Sequence, residues 1–309
     1  MPNASWSFEL TYWGTTGSFP RALTPYDVTH QVARTIRQLH QLGKLQEVCA
    51  GTTTDDELIG RIASLVPCEQ RLVYGGNTTC LEIRTPETLF LVDAGSGLQA
   101  WARHAQLDWN QVGYAGRRDG HVLISHAHLD HICALAFADV FFDARNDFTI
   151  WASSQVIDQL RALLAPANRD RNLLAPVSWQ QLAGIRQWNE FPSDRVLEID
   201  GTRITSLALN HPGTSLGFRF ERDGKRIVIA TDHEHVEVPD QRLAQFAQSA
   251  DLLYLDAQYR QCEYDGQSGV GNTPPRTRQG WGHSTVEASI ATAMAANALE
   301  LHLGHHDPH

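Results

Sequence analysis

The sequence has no apolar run long enough to span a bilayer. Its first residues, Met1-Pro2-Asn3-Ala4-Ser5-Trp6, lack the basic segment and apolar stretch of a secretory leader. Cysteine is sparse. Cys49, Cys68, Cys80, Cys133 and Cys262 are scattered, odd in number and never spaced as C-x-x-C. That usage argues against a disulfide framework and a structural zinc knuckle, and for buried thiols in a reducing compartment. No membrane association is expected, and the cytoplasm is the expected location. Positive charge is also short: 25 Lys and Arg stand against 35 Asp and Glu, a formal net charge of −10. Such a surface repels phosphate backbones, so long nucleic acid is not an expected partner. Internal repeats and low-complexity linkers are absent too.

What is present describes a globular enzyme-sized chain. The 309 residues can bury a large core, and 42% hydrophobic with 19% charged residues fits a folded protein. Phe8, Leu10 and Tyr12 alternate with polar positions, which predicts a first strand over Phe8–Trp13 followed by turn residues up to Pro20. Val28, Val32, Ile36 and Leu39 then fall at helical spacing, with Gly43 as a stop. A second helix is predicted from Thr54, spaced from Glu57 as a capping box, to a point before Pro67. Further strands are expected at 80–84, 89–93, 121–125, 148–152, 203–209, 215–220, 226–231, 252–256 and 301–304. Helices are expected at 97–104, 132–138, 154–164, 241–249 and 284–296. The order of strands and helices in the first half recurs in the second. It predicts an α/β fold of two sheets face to face with helices outside, a four-layer αββα sandwich. The expected organisation is one domain over 1–309 with an inserted helical hairpin at about 22–67. The apolar stripe of that hairpin must cover something, which suggests a lid or a dimer element.

The chemistry concentrates in Ser125-His126-Ala127-His128-Leu129-Asp130-His131, between the apolar strand Val122-Leu123-Ile124 and apolar Ile132. Imidazole and carboxylate are natural ligands for zinc and similar ions. Four such groups in six residues cannot reach one ion without strain. On a strand-to-helix turn they can serve two, His126 and His128 on one, Asp130 and His131 on the other. Three more candidates follow apolar strands: His211, Asp232 and His305.

These segments resemble the metallo-β-lactamase superfamily, and within it the ribonuclease Z-like phosphodiesterase branch. The matching stretches are Tyr12-Trp13-Gly14-Thr15, Gly17-Ser18, Tyr74-Gly75-Gly76-Asn77-Thr78, Leu91 to Gly97, His126 to His131 and His211-Pro212-Gly213. They continue with Ala230-Thr231-Asp232, Asp256-Ala257-Gln258-Tyr259, Gly282-His283-Ser284-Thr285 and His305-His306-Asp307-Pro308. The resemblance implies one metal on His126, His128 and His211, a second on Asp130, His131 and His305, and Asp232 bridging both. It favours His305 over the adjacent His306. It implies two divalent ions, zinc first, with manganese or iron as alternatives, and a homodimer. Asp130 is the expected positioner of the nucleophile, and His283 the expected general acid. Asp93 is expected to orient a ligating histidine or a loop amide. Asn77 and Thr78 suit either such support or ordinary turn chemistry. Arg276 and Arg278 are candidates for a substrate phosphate or carboxylate. His233, His235 and His302 suit supporting or surface places.

The function this implies is hydrolysis of a small phosphodiester, a cyclic nucleotide among them. The alternatives are a ribonuclease Z-like tRNA 3′ endonuclease and a metal-dependent carbon ester or lactone hydrolase. Against the endonuclease, no Gly-rich basic segment could form a tRNA-gripping arm. A non-enzymatic module would be expected to have lost one or more ligands.

Overall fold

A computed structural model describes residues 8–52, 54–66, 76–111, 116–165 and 177–308. Tyr74, Gly75 and Cys68 lie outside these residues. The chain divides into two compact units, Arg21–Gly76 and the remainder.

The larger unit holds two six-stranded sheets. The first is ordered β1 (Glu9–Gly14), β2 (Cys80–Arg84), β3 (Leu89–Val92), β4 (Asp119–Leu123), β5 (Asp147–Ala152) and β6 (Ile185–Glu190). Its strands run antiparallel as far as β3 and parallel from there on. The second comprises β7 (Val196–Ile199), β8 (Thr202–Leu209), β9 (Ser215–Arg222), β10 (Lys225–Ala230), β11 (Leu252–Asp256) and β12 (Leu301–Gly304). It too begins antiparallel and ends parallel, β10 to β12.

The alternation of side chains builds the layers. On β3, Phe90 and Val92 join a core with Leu216, Phe218, Ile227 and Ile229 of the second sheet, while Leu91 faces the opposite way. On β10, Ile227 and Ile229 enter that central core, while Val228 and Ala230 pack on Leu243, Ala244, Ala293 and Ala296 of outer helices. Leu91, Val122 and Phe148 similarly pack against Leu98 and Trp101 of a helix over Gly97–Trp109. The result is the four-layer sandwich expected from the element order. No helix among the described residues is long and apolar enough to cross a membrane.

Two further strands were not expected from the sequence. Both are outermost in their sheets: Ile185–Glu190 keeps one buried side chain, and none of Val196–Ile199 is fully buried. β6 presents mostly polar residues, and the four residues of β7, though Leu197 and Ile199 pack on the central core, are too few to show a period. The helix expected at 132–138 forms earlier and shorter, over Leu129–Ile132. Beyond it the backbone closes only single turns, Leu135 N–H to Ile132 C=O and Phe137 N–H to Ala134 C=O at 3.0 Å each, and also bonds across to the turn after β3: Ala94 N–H donates to His131 C=O and Ala134 N–H to Ala94 C=O, at 2.7 and 3.0 Å.

Among its described residues the smaller unit has three helices, α1 (Pro25–Gln41), α2 (Leu45–Cys49) and α3 (Asp55–Leu65). Thr24 and Asp27 form a reciprocal capping box at the start of α1, with Pro25 in its first turn. Thr54 caps α3 by accepting from Glu57 N–H. Leu39, Val48 and Val66 are buried together with Leu58 and Ile62 beside them. The short α2 was not expected from the sequence.

Gly95, in the turn after β3, shows how closely the backbones meet around the strand ends. A Cβ there would lie 2.2 Å from the Asp130 carbonyl oxygen and 2.6 Å from that of Thr79. Backbone cannot give way as a side chain tip can. Gly95→Ala is expected to cost about 3 kcal/mol, read as a lower urea midpoint at unchanged slope; a midpoint equal to wild type would show that the turn is slack.

Candidate metal centre

The chemistry-bearing residues lie at the carboxyl ends of strands from both sheets. This is the side on which α/β sheets place their ligands. Asp93 follows β3, His126 to His131 follow β4, His211 follows β8, Asp232 follows β10, Asp256 ends β11 and His305 follows β12. Three of them adopt the left-handed region: Asp93 at φ 65°, Asp232 at 45° and His305 at 54°. Each such residue costs on the order of 1 kcal/mol and persists where its surroundings fix it. Here the fixing contacts are those of the site itself.

Donor atoms converge in two groups. His126, His128, His211 and Asp232 form the first; Asp130, His131, Asp232 and His305 form the second; within each group the donor atoms lie within 4.8 Å of one another. Asp232 belongs to both and divides its oxygens between them. Its Oδ2 lies 3.5 Å from His126 Nε2 and 3.9 Å from His211 Nε2. Its Oδ1 lies 3.0 Å from His131 Nε2 and 3.2 Å from His305 Nε2. His128 Nδ1 and His211 Nε2 stand 3.0 Å apart, and His305 Nε2 is 3.1 Å from Asp130 Oδ2. All but His128 are buried. The exposed His128 marks the open side.

The far nitrogens show why the near ones point inward. His211 Nδ1–H donates to the Gly282 carbonyl at 2.8 Å, leaving Nε2 as a lone-pair donor for a metal. His131 Nδ1 is 2.7 Å from Asp93 Oδ2. Ser125 spends its hydroxyl proton on Asp93 Oδ2 at 2.9 Å, so its oxygen accepts from His126 Nδ1–H at 3.0 Å. Asp93 thus orients two histidines, one directly and one through Ser125. Its Oδ1 also accepts the Ser125 N–H at 2.7 Å. Carboxylate support of this kind fixes the tautomer and raises ligand basicity.

The donor set suits divalent cations. His126 Nε2 is buried and has no hydrogen-bond partner among the described residues. Around the second group, burial pushes the His305 imidazole down, but Asp232 and Asp130 outweigh it and lift it to about 9. Burial likewise opposes the charge of His131, yet Asp232, Asp130 and Asp93 hold it well above the ordinary range. Burial presses Asp130 and Asp232 upward, and the neighbouring imidazoles reverse this, holding both carboxyls low. In the first group burial dominates, taking His126 well down and His211 to about 4. The carboxylates of the second group thus stabilise positive charge there, while the first group keeps neutral imidazoles with free lone pairs, and both are compatible with bound cations.

A third group, Asp256, His283 and His305, adjoins the second. His283 Nδ1 is 2.8 Å from Asp256 Oδ2, and its ring stacks on His305 with centroids 4.7 Å apart. Sequence reasoning had picked out His283 but gave Asp256 no role. Its signal was its place at the end of the buried strand Leu252–Asp256. The Gly17-Ser18 turn also reaches the centre, since Ser18 N–H donates to Asp130 Oδ2 at 2.7 Å.

The remaining candidates stand apart. His306 contributes main-chain bonds to Thr15 and Gly17. Asn77 and Thr78 bond Ser96 and brace the turn after β3, which is ordinary turn chemistry. His233 accepts from Asn210 N–H and bonds Asp240 at 3.0 Å, His235 packs on Tyr264, and His302 lies between Tyr12 and Glu300. Arg276 is exposed. Arg278 lies over the rings of Trp281 and Tyr259.

Residues 88–306 match the family model described as the Beta-lactamase superfamily domain. The chain belongs to this superfamily. Its solved relatives carry the metallo-β-lactamase fold. The metallo-β-lactamase fold protein YhfI from Bacillus subtilis is 18% identical, with 97% of this chain and 86% of that chain covered and a TM-score of 0.57. A diphosphatase of the PhnP family is 14% identical over 97% of this chain and 87% of that chain, at a TM-score of 0.55. The short form of human tRNase Z, ELAC1, is 16% identical over 96% of this chain and 92% of that chain, at 0.54. No curated protein matches the sequence. Superfamily members are metal-dependent hydrolases, so membership makes this chain an enzyme of that broad class and gives the two donor groups a divalent-metal context.

The orienting role of Asp93 is directly measurable. Asp93→Asn is expected to weaken divalent-metal binding about 10–100-fold, with the circular dichroism spectrum retained. Affinity equal to wild type by calorimetric titration would remove Asp93 from the metal centre.

Proposed function

We propose that this protein is a dinuclear metal-dependent phosphodiesterase acting on a small phosphodiester, a cyclic nucleotide being the first to test. The observation that carries the reading is the Asp256–His283 pair, stacked on His305 at the edge of the donor groups. We assign His126, His128 and His211 to one ion, Asp130, His131 and His305 to the other, and Asp232 to both. Neither donor group contains a cysteine, so nitrogen and oxygen donors leave zinc, manganese and iron open, and we take zinc first for its affinity for imidazole. Two such ions, when bound, activate water near neutral pH and neutralise charge on phosphoryl oxygens.

The chain's own residues then divide the work. Asp130 Oδ2, held by the Ser18 amide, orients the attacking oxygen and can take its proton. Asp256 accepts from His283 Nδ1 and so aims Nε2 away from itself. A proton at Nε2 passes to the departing oxygen while Asp256 keeps the ring in place. Gly282, whose carbonyl fixes His211, directly precedes His283 and ties the acid to the ligand shell.

The acidic net charge of −10 supports a small substrate over a long polyanion. The likeness to a diphosphatase of the PhnP family is compatible with a small phosphoryl substrate. The tRNase Z likeness makes a tRNA 3′ endonuclease the second reading. Against it, Arg21–Gly76 carries six basic and six acidic residues and so offers no basic arm. We read this helical unit as an insertion in a single hydrolase domain and as a lid or dimer element. We place the protein in the cytoplasm on its scattered cysteines. A homodimer is proposed through α1, whose stripe of Val28, Val32 and Ile36 is 50%, 51% and 48% exposed.

Zinc- or manganese-loaded protein is expected to cleave bis(p-nitrophenyl) phosphate. His283→Ala should lower kcat by about 10²–10⁴-fold, and Asp130→Ala should abolish turnover. Cleavage of a precursor tRNA without turnover of small diesters would favour the endonuclease. Absence of any cleavage, with metals bound, would favour a carbon ester or lactone. The dimer is checked by light scattering: Val32→Asp should yield monomers, and a wild-type monomer at micromolar concentration would sink the idea.

A further inference from the structure

Glu234 lies two residues beyond Asp232 and is buried without a basic partner in any ion pair among the described residues. Its carboxylate is satisfied by three donors instead. Oε1 accepts from Tyr264 O–H at 2.6 Å and from Gly280 N–H at 2.7 Å, and Oε2 accepts from Gly282 N–H at 2.8 Å. These two amides flank Trp281. The segment is a tight turn, closed by Trp281 N–H donating to the Arg278 carbonyl at 3.1 Å, with Gly280 at φ 81°. The positive φ at the third position of such a turn requires glycine. The base of the turn is anchored as well, since Arg278 N–H donates to the Tyr264 carbonyl at 2.9 Å.

What this anchoring presents is unusual for a surface loop. Trp281 remains 46% exposed although its main chain is pinned on both sides. The Arg278 guanidinium lies over the indole at 4.4 Å from the ring centroid and over the Tyr259 ring at 5.8 Å. The Tyr259 ring in turn lies 6.2 Å from the His283 ring. Arg278 Nε is buried and has no hydrogen-bond partner among the described residues. A row of flat groups therefore runs outward from His283 through Tyr259 and Arg278 to Trp281. It ends in an exposed aromatic ring on a rigid turn.

We propose that Arg278 and Trp281 form the subsite for the flat group of the substrate, and that this group is a nucleobase. The inference rests on the phosphodiesterase reading and narrows its substrate to nucleoside phosphates. An indole stacks on any base through its π-face, and the guanidinium beside it supplies cation–π attraction. Glu234 is a positioning residue: it holds the turn that presents Trp281 and the Gly282 carbonyl that fixes His211.

The test compares two probes with one phosphate each, adenosine 5′-monophosphate and ribose 5-phosphate, titrated calorimetrically into zinc-loaded protein. Metal–phosphate contacts are common to both, so their difference isolates the base. Wild type is expected to prefer the adenosine probe by about tenfold or more. Trp281→Ala should erase that preference while leaving ribose 5-phosphate binding unchanged, and Trp281→Phe should restore most of it. Equal binding of the two probes by wild type, a preference that survives in Trp281→Ala, or no binding of either would overturn the subsite. The two proposals fail separately. A base preference that tracks Trp281 in a protein unable to cleave diesters keeps the subsite and discards the phosphodiesterase. Diester cleavage without base preference does the reverse.

Discussion

A single buried carboxylate organises the centre. Asp232 sits in a left-handed turn at the end of β10, with one oxygen turned to His126 and His211 and the other to His131 and His305. An unpaired carboxylate at that depth would be costly. Four imidazoles from both sheets surround it, so its burial and theirs are mutually compensated. The arrangement requires the carboxyl ends of β4, β8, β10 and β12 to meet at one place. The sandwich achieves this by packing two sheets that each run from antiparallel to parallel strands.

The parts of the fold that were legible in the sequence are those where one physical requirement repeats. Leu252–Asp256 is apolar because a parallel strand under helices is covered on both faces, and its limits, like those of Leu301–Gly304, are readable to the residue. The helix α1 announces itself through the helical spacing of Val28, Val32, Ile36 and Leu39. Edge strands β6 and β7, the one mostly polar and the other only four residues long, stay silent. The helix expected at 132–138 failed because its backbone closes only single turns and is drawn partly to Ala94, in a turn that the local pattern does not reveal.

The candidate site divides in a similar way. His126 to His131 is legible because four metal-binding side chains crowd one turn, and His211, Asp232 and His305 because each ends an apolar strand. All seven come together in space. Asp256 was missed as chemistry, since a lone carboxylate at a strand end resembles many others until a histidine from a distant loop is laid against it. Glu234 is hidden for the same reason. Its partners are main-chain amides, which the sequence cannot mark.

The position of β12 has a mechanical consequence. It is the outermost strand of its sheet and only four residues long, the kind of element that frays first. Yet His305, directly after it, reaches Asp130, 175 positions earlier, in the turn that follows a strand of the opposite sheet. A cation gripped by both would act as a latch across the mouth of the sandwich. Tightening one edge would then tighten the other, and local fraying of β12 would be coupled to the occupancy of the centre.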